Sequence, residues 1–221
     1  RDPAGFWGSF TRTHGWRFLR VRRGEPVDDT QNLDPVAYKN LKADHSMTIH
    51  SESPFYSKKP FTKEWRNDDE NAAIHGRNHG IIPVVNRGDW DQSPKFIIEG
   101  AGIVTIQDAG MERMVEIPKI FPSDGLVLVD TDPNKRTFTA SSDPVDTLFY
   151  RLIRSSAVFD WILGDLTQAD SGLPIGRRME GGKGFVGVVP ARTATQIRVT
   201  HSNPRGKITA VIPQQYKRGY A

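Results

Sequence analysis

Few residue patterns in this chain have the spacing of a chemical site. Gly182, Gly184 and Gly187 fit G-x-G-x-x-G, which cradles a pyrophosphate when a strand precedes it and a helix N-terminus follows. Here VGVVPARTATQIRV follows, which reads as strand and is interrupted by Pro190, so a glycine-rich loop before an edge strand is the better reading. Asp130, Asp132 and Asn134 resemble the opening of a calcium loop. Lys135 and Ser141 stand where that loop needs Gly and an acidic residue, and a hairpin turn around Pro133 fits better. His75 and His79 are spaced like metal ligands on a helix, yet Gly76 and Gly80 oppose a helix and no third ligand is evident. His45 and His50 would fall on opposite faces of a strand. Glu64, Asp68, Asp69 and Glu70 read as a solvated loop, and G-x-S-x-G does not occur. The expectation is a chain that is not an enzyme, with no catalytic residues, no metal and no cofactor.

The elements that carry these residues are read from punctuation. In 221 residues, 20 Gly and 15 Pro divide the apolar residues into short runs, and few windows repeat with the helical period. This predicts an all-β protein. Strands are expected at Trp16–Val21, His45–Ser51, around IIPVVN, at Lys95–Glu99, Gly102–Gln107, Arg113–Ile117, Thr195–Thr200 and Lys207–Ile212. Pro54 and Pro60 are expected to break the strand in SPFYSKKPF. The polar run DDENAAIHGRNHG is expected to separate two β units. Thr147–Ile153 reads as strand or helical turn, and Phe159–Gly184 as irregular.

Composition narrows the partners. No apolar run approaches the roughly 20 residues that span a bilayer, so no membrane insertion is expected. There is no cysteine, which excludes disulfides and thiolate metal sites. The net charge of +4 is concentrated near the N-terminus, at Arg12, Arg17, Arg20, Arg22 and Arg23, and Asp28, Asp29 and Asp34 follow. No nucleic-acid recognition module accompanies that excess, so specific nucleic-acid binding is not expected. RDPAGFWGSF lacks the apolar core of a signal peptide.

DGLVLVDTDPNKRTFTA reads as a β-hairpin. Leu126, Leu128 and Asp130 face one way, Val127 and Val129 the other, and Asp132, Pro133 and Asn134 make the turn. HSMTIHSESPFYSKKPFTKEW, IIPVVNRGDWDQSPKFIIEGAG, this hairpin with DTLFYRL, and FVGVVPARTATQIRVTHSNPRGKITAVIPQQYKRGY follow one another in an order that resembles a distal tail or minor tail protein of long-tailed (siphovirus) phages, actinobacteriophage-like, over about Asp44–Tyr220.

The resemblance implies an all-β chain in which residues 1–71 are the C-terminal part of a ring-forming β domain, with an upstream portion missing. Residues 72–221 would be a galectin-like β-sandwich with an irregular insertion at about 159–184. It implies a structural component of the tail tip in the virion, assembled in the host cytoplasm and joining the tail tube to the adhesion apparatus. The implied partners are copies of itself in a ring (hexamer or trimer), the tail tube, the tape-measure protein and other tail-tip proteins. The alternative is a carbohydrate-binding module or a tail-associated cell-wall hydrolase. Ile97, Ile106, Val115, Val127, Val129, Ile197, Val199 and Val211 are expected in the core.

Phe6, Trp7, Phe10, Trp16 and Phe18 crowd a short Arg-rich stretch, and with Arg20, Arg22 and Arg23 they form the candidate subunit interface. Arg17, Arg20, Arg22 and Arg23 would meet Asp28, Asp29 and Asp34 of a neighbouring subunit. The alternative is that these rings fill the intrachain core.

Overall fold

The computed structural model describes residues 5–24, 48–51, 53–71, 78–133, 138–141, 173–175, 178 and 184–220. It is nearly all β, and its paired strands run antiparallel. The chain divides into one unit of residues 1–56 with 217–221, and a second of residues 57–216. The polar run at 68–80, expected to separate two β units, lies inside the second.

In the first unit, β1 (Gly5–Thr11) and β2 (Gly15–Arg23) form a hairpin, with Phe10 opposite Trp16 and Phe6 opposite Arg20. Gly15, at a φ of 70°, supplies the left-handed residue that returns the chain into β2. β3 (Ile49–His50) pairs with the end of β2. The C-terminal residues lie along the hairpin: Ser9 Oγ donates to the Gly219 carbonyl at 2.7 Å, and the Arg17 guanidinium to that of Arg218 at 2.7 Å.

In the second unit, one sheet contains β4 (Tyr56–Arg66), β6 (Lys95–Glu99), β9 (Leu126–Asp130), β10 (Phe138–Ser141), β11 (Leu173–Pro174) and β13 (Lys207–Tyr216), in the order β4-β13-β6-β9-β10-β11. The other contains β5 (Asn78–Asn86), β7 (Val104–Gln107), β8 (Met114–Glu116) and β12 (Thr193–His201), in the order β5-β12-β7-β8. The hairpin read from DGLVLVD forms as expected, with Val129 opposite Phe138 and Val127 opposite Ala140. The expected break at Pro60 does not occur. β4 runs through this buried proline, whose fixed φ suits extended backbone. Thr147–Ile153 lies outside the described residues, as does most of 159–184, where β11 is a described strand.

The two sheets face each other across a continuous apolar core. Ile82, Val84, Val104, Ile106, Val115, Ile197 and Val199 come from the smaller sheet, and Phe96, Ile98, Val127, Val129, Ile208, Ala210 and Ile212 from the larger. Phe185 enters between Phe96 and Phe138, 6.3 Å from each ring centroid. All eight residues expected in the core are buried. Alternation along β6 and β13 places Ile97 and Val211 on the other face of the larger sheet, where they are also buried.

One end of this unit is closed by polar groups. Asn67 Nδ2 donates to the carbonyls of His201 and Asn203 at 2.9 and 2.8 Å, and its backbone pairs with Gly206 and Arg205. His201 Nδ1 accepts the Asn203 amide at 2.9 Å. A Cβ on Gly206 would stand 2.6 Å from that imidazole, so the ring packs flat against bare backbone. Elsewhere, the Asp124 carboxylate accepts the Phe121 amide at 2.8 Å and both terminal nitrogens of Arg178 at 2.7 and 3.2 Å.

These two groups each contribute to the acid response. Burial holds His201 below the ordinary histidine value of 6.5, against the raising effect of the Glu99 and Gly100 carbonyls. The unfolded chain therefore binds the proton better, and stability falls as pH drops from about 6.5 toward the folded value. The hydrogen bond from Arg178 leads in holding Asp124 below its ordinary 3.8, the Phe121 amide assists, and burial opposes. Its contribution is present above about pH 4 and is lost as pH falls through the lower folded value. Urea midpoints measured from neutral pH downward are expected to fall in both windows. His201→Gln should flatten the upper one, and Arg178→Gln the lower one. For the core, Ile106→Ala and Ile197→Ala should each cost about 2–5 kcal/mol, whereas Ile81→Ala, at a site 54% exposed, should change stability by less than about 0.5 kcal/mol.

Candidate interaction surfaces

Strand alternation sorts the hairpin side chains onto two faces. The register puts Phe6, Phe10, Trp16, Phe18, Arg20 and Arg22 on one of them. Its rings form a file: Phe10 and Trp16 lie 5.3 Å apart, tilted by 52°, and Trp16 and Phe18 lie 6.0 Å apart, stacked within 12°. Gly8 makes the file possible. A Cβ there would approach Trp16 to 3.2 Å and Phe18 to 3.4 Å, so the bare backbone gives both rings room to lie across the strand. Phe6, Phe10 and Trp16 remain 41%, 57% and 55% exposed, so they fill no core among the described residues. Phe18, Arg20 and Arg22 are half-buried.

Two of the sequence-derived interface residues fall elsewhere. Trp7 and Arg23 alternate onto the opposite face of the hairpin, with Ser9, Arg17 and Leu19. Arg17 is buried and engaged with the Arg218 carbonyl, so it is not one of the cations offered to an acidic neighbour. Asp28, Asp29 and Asp34 lie outside the described residues.

The second surface is the outward face of β5-β12-β7-β8, which the sequence reading did not single out. Pairing aligns His79, Thr200, Thr105 and Glu116 in one row across the four strands, and Ile81, Arg198, Gln107 and Met114 in the next. Between the rows lies an open groove of about 640 Å³, lined among others by His79, Ile81, Thr105, Met114, Arg198 and Thr200. Thr105 and Thr200 are recessed, 8% and 5% exposed, and their hydroxyls share a hydrogen bond at 2.5 Å. Arg198 is held by Gln107 Oε1 at 3.2 Å and Glu112 Oε2 at 2.6 Å. The sequence signal was the outward alternation of Gln196, Arg198 and Thr200, but the assembly of the rows depends on long-range pairing.

The remaining sequence candidates are positioned by structure rather than gathered into a site. Gly187 is followed by β12 and not by a helix. A Cβ on it would lie 2.8 Å from the Asp108 carboxylate and closer still to the Ala109 carbonyl, so its smallness serves packing. Gly184 has open space around it, and Gly182 lies outside the described residues. Asp130 is buried beside Lys95 Nζ at 3.4 Å and accepts the Asp132 amide at 3.1 Å, while Asn134 lies outside the described residues. His79 is on a strand and His50 is on β3; His45 and His75 lie outside the described residues. Among the described residues, no three His, Asp or Glu side chains are grouped to hold a metal ion. Trp65 packs against the core, and Trp90 is 49% exposed beside the β5 turn, its carbonyl accepting Asn86 Nδ2 at 2.8 Å. Comparison with protein-family profiles, with curated proteins and with solved structures gives no match to this chain.

Proposed function

We propose that this chain is a non-enzymatic structural component of a phage tail tip, a distal tail or minor tail protein that joins the tail tube to the adhesion apparatus of the virion. The observation that carries the reading is the aromatic file on the β1–β2 hairpin, which leaves Phe10 and Trp16 more than half exposed. Aromatic residues and Arg are enriched in interface cores, and rings ordered by their own stacking lose little further freedom when a partner covers them. Arg20 and Arg22 continue the same face. The occupant in this reading is a neighbouring copy in a ring, hexameric by resemblance or trimeric, with the tail tube, the tape-measure protein and other tail-tip proteins beside it. The two facing sheets of residues 57–216 suit the rigid, galectin-like β-sandwich that the resemblance implies.

The test is assembly in solution. The intact chain is expected to form a closed oligomer by light scattering. Deleting residues 1–23, or combining Phe10→Ser with Trp16→Ser in the full chain, should yield monomers of unchanged β content. The wild-type contact should also weaken as salt rises, because Arg20 and Arg22 flank it. A monomeric intact chain, or a truncated chain that forms the same ring with the same salt response, would contradict the proposal. So would turnover of cell-wall material that one Asp or Glu substitution abolishes.

A further inference from the structure

We propose that the outer edge of β1 joins two copies of this chain about a two-fold axis, through an antiparallel β1–β1 ladder centred on Gly8. The contact is made by the edge of the strand rather than by the aromatic face, and it does not depend on the ring reading. β1 ends its sheet and, among the described residues, pairs with β2 alone. In an antiparallel hairpin every second residue turns its N–H and C=O away from the partner strand, toward such an edge. The other terminal strands are guarded against strand addition. Pro83 sits in the middle of β5, β11 is two residues ending on Pro174, and the three residues of β8 follow Arg113 and end on Glu116. β1 has seven residues, GFWGSFT, with no proline and no charge.

The occupant is a second β1 because the strand is self-complementary about Gly8. With Gly8 opposite Gly8 of the second copy, Trp7 meets Ser9, Phe6 meets Phe10 and Gly5 meets Thr11. Each residue meets one an even number of places away. Groups turned to the edge in one copy therefore meet groups turned to it in the other, and the side-chain faces match. On the face of the aromatic file this makes two Phe6–Phe10 pairs, the aromatic cross-strand contact that stabilises antiparallel sheets. On the other face each Trp7 lies beside the small Ser9. Gly8 keeps the axis clear, since the Trp16 ring already stands 3.2 Å from where its Cβ would be.

Exposure and charge agree with this contact. Trp7 is 48% exposed although it points away from the file, so β1 presents rings on both faces. A partner lying on the aromatic face reaches Phe6 and Phe10 only, whereas an added strand runs between the two sets of rings and covers both. The arginines stand on β2, one strand back from the edge. In the paired sheet one row runs Trp16, Phe10, Phe6, Arg20 and another Arg17, Ser9, Trp7, Leu19, the last two residues of each row coming from the second copy. Each of these rows carries one arginine, so no cation faces another across the seam. The two β2 strands lie about 14 Å apart, three strand spacings, beyond the screening length of about 8 Å at physiological salt.

The chain has no cysteine, so Gly5→Cys and Thr11→Cys each introduce a single thiol into the full chain. A Cβ on Gly5 meets nothing within 4 Å. Under mild oxidation a mixture of the two variants should form a 5–11 disulfide dimer at least about tenfold faster than either variant links to itself, because the two copies of position 5 lie about 20 Å apart, too far for a disulfide. Adding Trp7→Lys to both, which gives the edge the lysine that guards natural edges, should abolish that preference. Trp16→Ser, which removes a ring from the aromatic face and not from β1, should leave it in place while altering ring assembly, so failure of the edge and failure of the ring are distinguishable. If Thr11→Cys does not fold, the distance between spin labels on Gly5→Cys decides, with about 20 Å expected. A mixture that links no faster than the single variants overturns the proposal, as does a 5–11 preference that Trp7→Lys leaves intact or a label distance far from 20 Å.

Discussion

The burial of two inward sheet faces against each other is the constraint from which the other features of residues 57–216 follow. Strands alternate with a period of two, so once Ile82 and Val84 on β5 and Ile197 and Val199 on β12 turn inward, His79, Ile81, Arg198 and Thr200 must turn outward. A one-residue slip of β12 would place Arg198 and Thr200 in the core, where an unpaired guanidinium is prohibitive. The same register that fills the core therefore composes the groove. The hairpin obeys the same alternation with a different outcome, since the face bearing Phe10 and Trp16 remains open.

Where the backbone leaves regular pairing, buried polar groups hold it. The Asp108 carboxylate is fully buried and accepts the amides of Val186 at 3.1 Å and Gly187 at 2.8 Å, and the Arg113 guanidinium at 2.5 Å. It thereby ties the β7–β8 turn to the segment that delivers Phe185 and Val189 into the core. Gly187 has no room for a side chain there, because the amide must approach the carboxylate closely. Asn67 plays the same part at the opposite turns, joining the end of β4 to the β12–β13 connection through both of its backbone groups and its side chain. A carboxylate or amide inside a loop can satisfy several donors and acceptors that no ladder reaches.

Much of the fold was legible because local patterns and tertiary burial agree. The DGLVLVD hairpin and the strands β12 and β13 combine flanking turn residues with apolar strand positions, and each formed where expected, although β12 and β13 fall in different sheets and β13 runs on to Tyr216. Pro60 was misread because strand-breaking is a statistical tendency, while its φ is compatible with β4. The hairpin aromatics were legible as a crowd but not as a face. Only the Phe10–Trp16 register shows that Trp7 points away from the file, and only the Arg218 carbonyl explains why Arg17 turns inward. The groove was not legible, since Thr105 and Thr200 stand 95 positions apart. Neither threonine carries a local signal beyond an ordinary outward strand position.

The central claim is that the aromatic face of the β1–β2 hairpin is where one copy meets the next. Amide hydrogen exchange, compared between dilute and concentrated chain, tests it most directly. Association should slow exchange across Phe6–Thr11 and Trp16–Arg22 and leave the outward strands β5 and β8 unchanged. Association that protects residues elsewhere while the hairpin amides exchange at their dilute rates would contradict it.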